Sequence, residues 1–139
     1  MRARETYGDD TMASIWILAA SINGVLAVAA GAAATHLFGQ DPRGLDLVSK
    51  GAQYEIYHAL ALLALAGLTG RRPGNERLLA AAGWSFVAGT VLFSGGLYGL
   101  ALSGLAIFAR MAPFGGTAFM LGWATLGFYA WTTAKRGAA

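Results

Sequence analysis

Three stretches of this sequence, residues 11–40, 78–109 and 111–134, contain no Asp, Glu, Lys or Arg. Roughly 20 apolar residues at 1.5 Å rise each cross a hydrocarbon core of about 30 Å, so every one of these stretches has membrane length. Only 12% of the 139 residues are charged and 56% are hydrophobic, against about 25% charged in an average soluble domain. A soluble fold of this size would lack charged surface, and the chain reads as integral to a membrane. Its 20 glycines agree, because a missing side chain lets neighbouring membrane helices approach closely.

Residues 1–13 carry Arg2, Arg4, Glu5, Asp9 and Asp10 and read as a mobile polar N-terminal tail. Met12, just ahead of the apolar run, would also serve as an alternative start. The first span, residues 14–38, exceeds the 7–15 apolar residues of a secretory signal and is expected to stay uncleaved. Asp41-Pro42-Arg43-Gly44 is a turn signal. Leu45, Val48 and Ala52 then follow at helical spacing and predict a short interfacial helix in this first outer loop. The second span, residues 52–70, ends at the break Arg71-Arg72-Pro73-Gly74. Spans three and four, residues 78–103 and 113–133, are joined by a linker around Arg110. Pro113 suits an early helical position, where its missing N–H costs little. Residues 135–139 form a basic C-terminal tail. The expected fold is all-α: a single four-span domain over residues 14–134, packed as a compact four-helix membrane bundle.

An even number of spans puts both termini on one side. Arg2, Arg4, Arg71, Arg72, Arg77, Lys135 and Arg136 lie on the terminal side, and only Arg43, Lys50 and Arg110 on the other. The positive-inside rule therefore places both termini in the cytoplasm of a bacterial inner membrane, or in the matrix of a mitochondrion. Trp16, Trp84 and Trp131 fall near the cytoplasmic ends of their spans, where indoles favour the interface. Trp123 lies deeper and is expected between helices. The net charge of +3 is thus a topology signal rather than the footprint of an acidic partner. No cysteine is present, which removes disulfides, thiolate metal sites and cysteine nucleophiles. No phosphate loop, nucleophile elbow or nucleic-acid motif occurs.

With this orientation nearly every polar group inside the spans falls in the outer layer. The candidate cluster is His36, Gln53, Tyr54, Glu55, His58, Ser94 and Tyr98. Tyr54 and His58 are four residues apart and Glu55 and His58 three, which places them on one helical face. A carboxylate beside an imidazole could ligate a metal, relay a proton or bind a polar headgroup, and an ionisable residue inside a membrane marks a site by default. The plainer reading leaves Glu55 solvated at the interface or paired with Arg110, and His36 and His58 as satisfied packing residues. Di-iron carboxylate bundles carry Glu-x-x-His on two helices with further carboxylates. Here the motif occurs once, with no second intramembrane acid, so no metal and no catalytic residue is assigned. Gly95 and Gly99 form a small-x-x-x-small pair and Gly115-Gly116 opens the fourth span, and all four are expected at close helix contacts. Asn23, mid-membrane, calls for an interhelical partner or a backbone carbonyl.

Four ordered segments carry a resemblance. They are Gly31-Ala32-Ala33-Ala34-Thr35-His36, Gln53-Tyr54-Glu55-Ile56-Tyr57-His58-Ala59-Leu60, Leu92-Phe93-Ser94-Gly95-Gly96-Leu97-Tyr98, and Pro113-Phe114-Gly115-Gly116 followed by Gly122-Trp123. Together they resemble the family called domain of unknown function 423, itself similar to transmembrane protein 256 of animals, over about residues 14 to 134. The sequence departs from the family at Ala33, where an aromatic is usual, and at Ala112, where a hydroxyl residue is usual. The resemblance implies a small four-span inner-membrane protein from a family without established activity.

The functional expectation is an accessory or assembly subunit packing against a larger membrane complex. Its partners would be the lipid bilayer and other integral membrane proteins or a second copy, with no nucleic acid. The competing class is a binding or transport protein for a quinone, lipid headgroup or metal at the polar cluster. No cofactor is expected beyond a bound quinone or lipid, and an enzyme would rest on the Glu-His face alone.

Overall fold

The computed structural model describes residues 2–71 and 75–137 and contains four helices, α1 Arg2–Phe38, α2 Pro42–Leu68, α3 Glu76–Ser103 and α4 Ala106–Gly137. Thr11–Phe38 and α3 are each long and apolar enough to cross a membrane. Short connections make successive helices neighbours: α1 packs on α2, α2 on α3 and α3 on α4. α1 touches α3 only lightly, and α1 and α4 do not meet among the described residues. The result is an all-α bundle with α2 and α3 at its centre and α1 and α4 on the flanks.

The element boundaries differ from the sequence expectation in three places, each for a helical reason. Helix α1 already starts at Arg2, so the polar residues ahead of the first span are helical. No proline interrupts them, and once a helix is nucleated each added residue gains a hydrogen bond at little further cost. The expected interfacial helix is likewise the first part of α2, which starts at Pro42 and runs unbroken into the apolar span. Asp41 caps it by accepting from the Arg43 amide at 3.1 Å, Pro42 supplies a preset φ, and Lys50 bonds Asp46 one turn on at 2.8 Å. The third linker is much shorter than expected. Gly104, at φ 70°, closes α3 by donating its amide to the Leu100 carbonyl at 2.9 Å, a left-handed conformation that glycine adopts without penalty. Helix α4 therefore begins at Ala106 and carries Pro113 in its interior. The break at residues 71–74 falls outside the described chain for its last three members, as do residues 138 and 139 of the basic tail.

The apolar core gathers at one end of the bundle around Trp16, Leu62, Leu65, Leu79, Phe86 and Phe119. Trp16 was expected at the interface, yet it is 0% exposed. Gly83 makes room for it, since a Cβ there would lie 2.6 Å from the ring, and Trp84 meets it edge-on at 5.5 Å. Trp84 and Trp131 remain exposed. At the same end Asn75 donates to the Thr132 and Thr133 hydroxyls, both at 3.1 Å, which ties the start of α3 to the end of α4.

The four glycines expected at helix contacts divide evenly. A Cβ on Gly99 would lie 2.5 Å from the Phe108 ring, and one on Gly115 would meet the Phe93 backbone. Gly95 and Gly116 have nothing within 4 Å. Gly96, not Gly95, pairs with Gly99 against α4, its Cβ position lying 3.0 Å from the Phe108 carbonyl oxygen. Small-residue spacing identifies a permissive face, and the partner's position decides which edge of it is covered. Gly99→Leu is accordingly expected to cost about 1–3 kcal/mol by overpacking, read as a lower melting temperature in detergent. Gly95→Leu should leave that temperature unchanged or raise it.

Candidate functional site

The seam between α2 and α3 is closed by two hydrogen bonds between residues 43 positions apart. The Ser94 hydroxyl donates to the Gly51 carbonyl at 2.8 Å, and the Tyr98 hydroxyl donates to Glu55 Oε2 at 2.6 Å. The second is short, as expected of a hydroxyl bonded to a carboxylate. Tyr98 reaches Glu55 because Gly51 lies under its ring, where a Cβ would approach within 2.5 Å. Glu55 is 3% and Ser94 1% exposed. Glu55 is also the midpoint of α2, since the helix starts ten residues before the expected span.

On the flank facing α1 this seam forms the floor of a cleft of about 680 Å³, walled by Ile22, Asn23, Ala30, Ala33 and Gly95 among others, with Glu55 and Tyr98 lining it. The cleft exists because α1 leans on α2 and leaves α3 almost free. Asn23 finds the backbone carbonyl the sequence called for, donating to Ala19 of its own helix at 2.7 Å.

His58 faces the other flank. Its Nδ1 lies 2.7 Å from the Tyr54 carbonyl oxygen, and Trp123 Nε1 donates to its Nε2 at 3.3 Å. These partners define the tautomer with the proton on Nδ1. Phe119 stacks on the imidazole at 3.5 Å between centroids with the planes 5° apart, and Phe86 lies at 5.4 Å. Beside this stack runs a second groove of about 560 Å³, lined by Tyr54, Phe93, Pro113, Gly116, Phe119 and Trp123.

The candidate cluster is therefore two arrangements. Glu55, Ser94 and Tyr98 come together on the α2–α3 seam. Tyr54 and His58 stand together toward α4. Gln53 is exposed and donates to the Tyr57 hydroxyl at 2.8 Å, and His36 is exposed in the last turn of α1, lining neither cavity. Glu55 pairs with Tyr98 instead of Arg110, which is exposed. Phe119 and Trp123 complete the His58 site without having been singled out for it; Trp123 is half exposed and lines the groove as well as bonding His58. Among the described residues no group of three or more His, Asp or Glu could hold a metal, and both His58 nitrogens are engaged.

The family model for proteins of unknown function named DUF423 matches residues 30–116, a stretch that contains both halves of the site except its α4 aromatics. The UPF0382 membrane protein YwdK of Bacillus subtilis is 40% identical over 111 residues, covering 78% of this chain and 89% of that one. The UPF0382 inner membrane protein YgdD of Escherichia coli K12 is 37% identical over 115 residues, covering 79% and 84%. The UPF0382 membrane protein SAB0533 of Staphylococcus aureus is 34% identical over 114 residues, covering 81% and 91%. No solved structure matches the chain. A family match over more than half the sequence, relatives that are themselves named membrane proteins, and an all-helical bundle with membrane-length apolar helices agree: this chain is a small integral membrane protein and belongs to the DUF423 family.

Proposed function

We propose that this protein spans the membrane four times with both termini in the cytoplasm, and that it acts without catalysis by holding a lipophilic molecule in the cleft between α1 and α3. The observation that carries this reading is Glu55, a carboxylate 3% exposed on the floor of a largely apolar cleft. Packing alone gives no reason to place an acid there, because burying a charge away from water is costly. The cleft volume of about 680 Å³ falls inside the range of roughly 300–1,000 Å³ typical of small-molecule sites. Its rim includes Leu26 and Val91, both more than half exposed, so an apolar molecule can enter sideways from the bilayer.

A second reading, an accessory subunit seated against a larger membrane complex, draws on Ala29, Ala30, Ala33 and Gly95 in the same walls, since small residues admit a further helix closely. One experiment separates the two. Gly95 has open space in front of it, so Gly95→Leu fills the cleft without disturbing the bundle. Purified in mild detergent, the wild type is expected to retain a lipophilic small molecule that Gly95→Leu loses. A membrane polypeptide lost in its place would support the subunit reading, and identical contents in both preparations would sink the cleft.

The orientation rests on the seven-to-three distribution of basic residues, and reporter fusions check it. Fusions after residue 139 and within residues 71–76 should both be fluorescent with a cytoplasmic reporter. Periplasmic alkaline phosphatase activity at either position would reverse the assignment.

A further inference from the structure

The polar groups lining the cleft are unequal in kind. The Tyr98 hydroxyl spends its hydrogen on Glu55, the Thr90 hydroxyl donates to the Phe86 carbonyl at 3.0 Å, and the Asn23 amide donates to Ala19. What remains on the cleft side is almost entirely acceptor: the Asn23 side-chain carbonyl, the hydroxyl lone pairs, and the second carboxylate oxygen of Glu55, which has no hydrogen-bond partner among the described residues. One amide hydrogen of Asn23 is the exception. Among the described residues no cation pairs with Glu55. The ion pair present among the described residues joins Lys50 to Asp46, both exposed, and Arg110 is exposed elsewhere.

An acceptor-lined, anion-bearing, otherwise apolar cleft complements a particular kind of molecule. A quinone presents carbonyl acceptors and would find one amide hydrogen. A neutral hydrocarbon would leave the second carboxylate oxygen of Glu55 without a hydrogen bond and the carboxylate without a counter-ion, which is the costly case in a medium without water. A protonated amine supplies both what Glu55 lacks in charge and what the cleft lacks in hydrogen-bond donors, and a charge-assisted N–H to carboxylate bond is among the stronger ones available. We propose that the α1–α3 cleft receives the primary ammonium end of a long-chain amine, with Glu55 as its counter-ion and the alanine-rich face of α1 along its hydrocarbon chain. This rests on the reading that the cleft holds a lipophilic molecule, and it names the chemistry of that molecule.

Three probes of one chain length isolate the components: hexadecylamine has charge and donors, hexadecanol a donor without charge, and hexadecyltrimethylammonium charge without a donor. Native mass spectrometry of the full chain in detergent micelles reads their retention. Hexadecylamine is expected to bind at least about tenfold more tightly than either comparator, the equivalent of one charge-assisted hydrogen bond. Glu55→Gln, which still offers Tyr98 an acceptor but turns an amide toward the cleft, should erase that preference, and Gly95→Leu should abolish retention of all three with helicity and melting temperature preserved. Equal retention of the three probes by the wild type overturns the ammonium assignment and leaves the cleft a lipophile site. A preference for the amine that persists in folded Glu55→Gln, or survives in Gly95→Leu, overturns it also. So does retention of none of the probes, in which case the lipophilic content lost from Gly95→Leu still decides the function proposed above.

Discussion

A single methyl group added at Gly115 is expected to destabilise the bundle by about 3 kcal/mol, whereas the same methyl at Gly116 should be neutral or stabilising. The Cβ of an alanine at 115 would fall against the Phe93 amide nitrogen, 2.8 Å from its Cα and 2.7 Å from its Cβ. Overpacking usually costs about 1–3 kcal/mol because side chains move aside. Here the obstacle is α3 backbone, which can yield only if the two helices separate, so the cost belongs at the top of that range. Gly116 is rotated 100° around α4, lines the His58 groove and has nothing within 4 Å. Alanine there removes the backbone freedom that makes a helical glycine unfavourable by about 0.5–1 kcal/mol. Thermal denaturation in detergent, followed by circular dichroism, should show Gly115→Ala melting several degrees below the parent and Gly116→Ala at or above it. Equal melting temperatures would mean that α3 and α4 are not held at this separation.

The contrast between these adjacent glycines also shows how much of the fold is legible in the sequence. Charge-free runs and turn residues suffice to identify four helices, because long apolar runs between turn signals favour helices that satisfy their own backbone groups, and two of the four, Thr11–Phe38 and α3, are long and apolar enough to cross a membrane. Their ends were harder to read. Propagation from Pro42 or back to Arg2 costs little, so polarity alone marks where a span leaves the hydrocarbon and not where the helix stops. The polar layer was legible as a layer, and Ser94, Tyr98 and Glu55 do meet in it. Which flank each residue faces was not, since Glu55 and His58 share a broad face of α2 whose two edges are covered by different helices. Phe119 carries no signal for the same reason, since within an apolar run an aromatic that stacks on His58 looks like one that faces lipid, and the depth of Trp123 points to a place between helices without naming His58 as its partner.

The Glu55–Tyr98 contact gives the largest expected effect of any polar substitution. Tyr98→Phe keeps the ring over Gly51 and removes only the hydroxyl that bonds Glu55 at 2.6 Å. It should cost about 1–3 kcal/mol, because a buried acceptor loses its partner. Glu55→Leu should cost a similar amount by stranding the Tyr98 hydroxyl. The double substitution Glu55→Leu with Tyr98→Phe removes both polar groups at once and should recover most of the loss, since deleting a matched buried pair can be nearly neutral. The coupling energy, which is the sum of the two single losses less the loss of the double variant, should be at least about 2 kcal/mol, obtained from denaturation midpoints of the four proteins in one detergent. Strictly additive single effects would remove the hydrogen bond from the account of stability. A double variant that is fully stable yet empties the cleft would locate the reason for this acid in binding, since the bundle would then fold as well without it.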